Sequence, residues 1–172
     1  AAQFRILASN SVNASNQLIS PVQILAGTLP SVSNQNPITA AVFRAAQGLT
    51  NATARYLRFE AITSTYGNGN VGLNEIEVYT PSAPDRTNLA LGRPVIDASG
   101  TYQHALGFER SNITDGSTTD VTTDNTLNSS TYWLGREGVS QEYVTVDLQS
   151  NVRIDEIRLR NTHNVQFNDR GT

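Results

Sequence analysis

The 172-residue chain has no cysteine and no methionine, and all 12 of its basic residues are arginine, so lysine is missing too. Without cysteine there is no thiol nucleophile, no thiolate zinc site and no disulfide staple. With no methionine anywhere and Ala1 in first place, the sequence is expected to be a processed chain, a fragment or one unit of something longer. Charge is scarce at 16%, hydrophobic residues make up 38%, and the net charge is −3. Scattered arginines on an acidic chain form no basic stripe, which argues against a nucleic-acid partner. No apolar run approaches the roughly 18 residues of a membrane span, and no amino-terminal signal pattern is visible.

What replaces the missing residues is uncharged and polar: Thr 19, Asn 17 and Ser 15, about 30% of the chain. Ser and Asn compete for their own backbone hydrogen bonds and favour turns, and Thr favours strands, so the composition disfavours a helical bundle and an all-β fold is expected. Short alternating runs support it. Phe4–Ala8, Leu57–Ala61, Ile76–Val78, Val144–Leu148 and Ile157–Arg160 each have one apolar and one polar face, the pattern of a half-buried antiparallel sheet. The alternation turns Leu57, Phe59, Ile76, Val78, Val144, Val146, Leu148, Ile157 and Leu159 inward. Ile38, Ala41, Val42, Ala45 and Leu49 are spaced helically, but the stretch is short enough that a strand or a single turn competes.

The segment 80–87, with Pro81 and Pro84, reads as a linker between two blocks, 1–79 and 88–172. Asp115 to Ser130 is a long polar loop, a length that usually marks function or mobility.

The second block contains Asn88-Leu89-Ala90-Leu91-Gly92-Arg93-Pro94, Ile113-Thr114-Asp115-Gly116, Tyr132-Trp133, Tyr143 to Leu148 and Ile154 to Leu159. It resembles the first half of a discoidin domain, the coagulation-factor type C module, which is similar to the family 32 carbohydrate-binding modules. The first block ends in Ala54 to Glu60 and Gly72-Leu73-Asn74-Glu75-Ile76-Glu77-Val78-Tyr79, which resemble the last strands of the same domain. The halves stand in rotated order. Joining Thr172 to Ala1 gives a continuous family-like passage from Asn168 to Ser9. The resemblance implies a jelly-roll β-sandwich of the galactose-binding-domain-like type, either circularly permuted or cut from a tandem repeat at a shifted phase. A third route to the same order is strand exchange between copies.

Enzyme chemistry finds little to use. With only His104 and His163 and no cysteine, metal hydrolysis on a histidine cluster lacks ligands, and no Gly-x-Ser-x-Gly elbow is present. Acidic residues are numerous enough for a carboxylate pair to arise by chance. The resemblance implies instead a structural Ca2+ held by Asp115 and Glu75, with Ser117, Thr118 and Asp120 as further oxygen ligands; an ordinary Asp-Gly turn and an exposed Glu75 are the competing reading. It also implies a glycan site at Arg160 and Asn164, with His163, His104, Tyr102 and Phe108 as neighbours. Against that stands a structural polar network of Arg160 with Asp169 and Arg170. Trp133 is expected in the core. Sequons at Asn13, Asn51, Asn112 and Asn128 matter only in a secreted setting.

The expected function is therefore a non-enzymatic, extracellular or cell-surface module for adhesion or surface assembly. Its expected partners are glycans or neighbouring copies of itself, in a head-to-tail homopolymer, filament or tandem array. The alternative is a carbohydrate-binding module appended to a secreted glycoside-active enzyme.

Overall fold

The structure is a computed structural model that describes residues 2–30, 37–63, 71–81, 86–102, 107–119, 130–136, 138–139 and 141–162. Ten strands carry the fold: β1 (Ala2–Ser9), β2 (Val22–Leu29), β3 (Ala41–Phe43), β4 (Ala52–Ala61), β5 (Gly72–Leu73), β6 (Glu75–Tyr79), β7 (Val95–Ala98), β8 (Trp133–Leu134), β9 (Tyr143–Ile154) and β10 (Glu156–Arg160). They form a five-stranded sheet in the order β2-β1-β4-β9-β7, a three-stranded sheet β3-β10-β6 and a ribbon β5-β8, with antiparallel pairing throughout.

The all-β expectation is met. No α-helix occurs among the described residues; Ala45–Gln47 and Arg110–Thr114 are short 3-10 turns. The ambiguous stretch from Ile38 to Leu49 resolves into β3 and the first of these turns. Gly48 follows in the left-handed region at φ 87°, which glycine adopts without a side-chain clash and which stops the turn from propagating.

The two larger sheets share one core. Phe4, Ile6, Leu57, Phe59, Val144, Val146 and Leu148 from the five-stranded sheet cluster with Ile76, Val78, Ile157 and Leu159 from the smaller one. All nine residues assigned inward from their alternation are buried. Phe4 joins the layers. Its ring packs edge-on against Phe43 of β3 at 5.3 Å and stacks with Phe59 of β4 at 5.8 Å. Trp133 is fully buried and donates its Nε1–H to the Gly100 carbonyl at 2.9 Å.

Both blocks of the sequence contribute to both sheets. β4, from the first block, pairs with β9 from the second, and β6 pairs with β10. One chain thus completes the sandwich-like core by itself. No helix among the described residues is long and apolar enough to cross a membrane.

The polar face of the five-stranded sheet is also covered. Arg58 is only 8% exposed; it donates to Thr145 Oγ1 at 2.8 Å and Asp97 Oδ2 at 3.0 Å and lies 4.0 Å over the Tyr143 ring. The segment following β1 reaches across this face, with Gln17 Nε2 donating to Asp97 at 2.8 Å. Beside it, Arg55 grips Asp147 with two parallel hydrogen bonds of 2.8 Å.

Two predictions follow from this packing. Phe4→Ala removes the ring that bridges the layers and is expected to cost about 3–5 kcal/mol, read by urea denaturation. The second concerns acid. The Arg55 hydrogen bonds, opposed by burial, hold the Asp147 carboxyl below its ordinary value of 3.8. A folded-state pKa lowered in this way adds stability that is complete above 3.8 and is lost as pH falls through the lower folded value. Melting curves across that range should show Arg55→Ala with a shallower acid limb than the wild type and lower stability at neutral pH.

Candidate functional site

The smaller sheet brings the two sequence-predicted sites to one end. Glu75 opens β6, Arg160 closes β10, and they stand opposite each other in the register. The Asn74 N–H donates to the Arg160 carbonyl at 2.9 Å and fixes that end. The Asp115-Gly116 turn, which follows the 3-10 turn Arg110–Thr114, packs against it. The Gly116 N–H donates to Glu75 Oε1 at 3.3 Å, and Asp115 Oδ1 accepts from the Ser117 N–H at 2.7 Å. Gly116 has φ +82°, and a Cβ there would sit 2.8 Å from Leu91 Cδ1, so the turn requires glycine.

Glu75 is not exposed, as the plain-turn alternative supposed; it is 1% exposed. Its Oε2 and the Asn74 Oδ1 are buried with no hydrogen-bond partner among the described residues. Burial, then the neighbouring Asp115 charge, pushes the Glu75 carboxyl up to about 9, against the smaller opposing pull of the Gly116 N–H and Arg160. Burial also raises Asp115, partly offset by the Ser117 N–H. Two carboxyls that burial, and for Glu75 also the Asp115 charge, holds back from ionising form a site that a hard cation would relieve, since the ion supplies the missing charge and Oε2 a ligand.

The predicted oxygen set divides as follows. Glu75 and Asp115 come together. Ser117 and Thr118 lie on the same turn: Ser117 Oγ is 3.4 Å from Thr119 Oγ1, and the Thr118 carbonyl accepts from the Ile38 N–H at 2.8 Å. Asp120 lies outside the described residues. Among the described residues no third acidic or imidazole side chain joins the pair.

Arg160 is placed differently from a free sugar-gripping arm. Its Nε and Nη2 donate to Glu77 Oε1 at 3.0 and 2.8 Å, and its Nη1 to the Ile38 carbonyl. With its side chain 15% exposed, it ties β10 to β6 and to the segment before β3. A polar network is therefore present, but built on Glu77; Asp169 and Arg170 lie outside the described residues. Asn161 and Thr162 are buried, with Asn161 Nδ2 donating to the Pro30 carbonyl at 3.0 Å. Of the other predicted glycan contacts, Asn164, His163 and His104 lie outside the described residues. Tyr102 is half-buried and packs on Phe108, which packs on Tyr132, with ring centroids 6.0 and 5.1 Å apart.

Sequence reasoning missed Glu77, Asn74 and Asn112. Glu77 shares the polar face with Glu75 two residues on and stands opposite Arg158, a cross-strand signal the alternation contained. Asn74 Nδ2 bridges the carbonyls of Thr119 and Thr131 at 3.3 and 3.0 Å, and Asn112 Nδ2 lies within 2.7 to 3.2 Å of those of Gly107, Ser130 and Tyr132. These amides staple loops together, and no local pattern announces that. Asn112, one of the four sequons, is thereby a structural clip.

No protein-family model matches the chain, and no curated protein or solved structure matches it significantly.

Glu75→Gln tests the electrostatics directly. In cation-free buffer the folded Glu75 carboxyl keeps a proton that the unfolded chain releases near 4.5, so stability falls as pH rises from 4.5 towards about 9. The variant should lose that slope and exceed the wild type by about 1 kcal/mol at mildly alkaline pH, measured by denaturant unfolding.

Proposed function

We propose that the chain is a non-enzymatic extracellular binding module of discoidin type, a jelly roll in rotated order, serving adhesion or surface assembly through glycan recognition at the Glu75–Arg160 end. The observation that carries this reading is the pair of carboxyls Glu75 and Asp115, turned together with one buried oxygen unpartnered. Structural Ca2+ fits this oxygen set, and when bound it would neutralise both acids and draw the Asp115-Gly116 turn onto β6. Glu75 and Asp115 hold the ion; Asn74 and Asn112 hold the surrounding loops by their amides.

Arg160 enters as the strut of this end. Its guanidinium fixes Glu77 beside Glu75, and among the described residues two of its five N–H groups have no partner, which leaves them for a sugar hydroxyl at the rim. Assembly by repetition of closed sandwiches is the form of surface polymer in which the pairing of β4 with β9 stays within one chain.

Calcium titration followed by thermal melting tests the reading. At a hundredfold excess over its dissociation constant, calcium is expected to raise the wild-type melting temperature by about 5 °C and to leave Glu75→Gln unshifted. On a glycan array, binding should require calcium and drop in Arg160→Ala. A wild type indifferent to calcium, or array binding unchanged by Arg160→Ala, overturns it.

A further inference from the structure

The other end of the smaller sheet carries a second arrangement that the loop-end reading does not use. Here β6 finishes at Tyr79 and β10 begins at Glu156, directly opposite in the register. A cleft of about 310 Å³ opens beside them, lined by Arg44, Tyr79, Pro81, Arg86, Asp155 and Glu156.

Its charge is unbalanced. Glu156, with its side chain 5% exposed, takes three guanidiniums: Arg158 Nε on Oε1 at 2.6 Å, and Arg44 Nε and Arg86 Nη2 together on Oε2 at 2.5 and 2.6 Å. The nearby acids are already engaged. Glu77 serves Arg160, with Arg158 at 3.8 Å, and Asp155 serves Arg153 at 3.1 Å. Among the described residues, four arginines at this end, Arg44, Arg86, Arg153 and Arg158, thus pair with two carboxylates, Glu156 and Asp155, on a chain whose net charge is −3.

The excess resides in two accessible groups. Arg44 and Arg86 have side chains 52% and 55% exposed, and among the described residues each side chain donates only to Glu156. Both are pre-positioned. Arg86 adopts φ 45°, a left-handed conformation that is unfavourable for a side-chain-bearing residue, and lies over the Tyr79 ring at 5.5 Å, with Arg158 over the same ring at 4.7 Å. Each guanidinium gives one N–H to Glu156 Oε2, and among the described residues its other donors have no partner, so the two can present paired N–H groups to a sulfate or carboxylate group at the rim.

We propose that this cleft binds an acidic polysaccharide, with a sulfate or carboxylate group bridging Arg44 and Arg86. At about 310 Å³ the cleft has room for a small charged group, and among the described residues its exposed arginines are Arg44 and Arg86, a pair and not a stripe that would follow a nucleic-acid backbone. The proposal stands apart from the calcium and glycan site at the opposite end of the sheet.

Affinity electrophoresis of the intact chain in calcium-free gels containing dextran, carboxymethyl dextran or dextran sulfate tests it, because the three polymers share a backbone and differ in their charged groups. Retardation is expected with carboxymethyl dextran, dextran sulfate or both, the pattern identifying the preferred oxyanion, and none with dextran. R44Q/R86Q should weaken the interaction by about tenfold or more. R5Q, which removes an equally exposed arginine from the other sheet, should leave it unchanged, and melting curves confirm that each variant is folded. Equal migration in all three gels, full retention by R44Q/R86Q, an equal loss in R5Q, or stronger retardation by single-stranded DNA of matched charge overturns the proposal.

Discussion

Strands β4 and β9 lie side by side in the larger sheet, and almost everything else is arranged around that pairing. Tyr56 to Glu60 runs against Tyr143 to Asp147 residue for residue, with Leu57 against Val146 and Phe59 against Val144 on the core side. The same register sets Arg58 against Thr145 and places Arg55 within reach of Asp147 on the outer side. A shift by one residue would exchange the two faces, exposing the core and burying the charges, so the hydrophobic and ionic patterns enforce one alignment together. The strands come from the first and second blocks of the chain, so this contact also closes a long loop. Its formation has a high entropic cost, and the local hairpin of β1 and β2 cannot substitute for it.

With arginine as its only strong base, the protein handles buried charge in a particular way. Guanidiniums lie over tyrosine rings and pair with carboxylates through several donors at once, which suits the half-buried outer faces of both sheets. Glu156 shows the balance of terms. Burial pushes its carboxyl up, yet hydrogen bonds from Arg158, Arg44 and Arg86 outweigh that and hold it below its ordinary value. Glu75, buried on the same sheet without such partners, goes the other way. Two glutamates at opposite ends of one small sheet thus differ because one is saturated with donors and the other is left short.

The strands and their inward faces were legible in the sequence because a period of two is a local signal, and Leu57, Phe59, Val144 and Val146 obey it. The short stretch from Ile38 to Leu49 was not, since its spacing fits a helix while β10 offers it an edge to pair with. At the candidate site, the nearness of Glu75 to Asp115 follows from the family-like motifs. The burial of Glu75 and the engagement of Arg160 by Glu77 and Ile38 depend on the register between β6 and β10 and on a distant backbone segment. Side-chain partners chosen across sequence separations of 83 and 122 residues leave no trace in local composition.

The chain passes from β9 in one sheet to β10 in the other through a single residue, Asp155, whose N–H donates to the Tyr79 carbonyl at 3.1 Å and whose Oδ1 accepts from Asn51 Nδ2 at 2.9 Å. A crossing that short has no slack. The two layers are stitched at that edge and cannot slide past one another, so the sandwich can breathe only by hinging open about the Asp155 corner. Thermal motion is thereby directed to the far end of the layers, where the Glu75 loops sit, and amide protons flanking the corner should be the last to exchange with solvent.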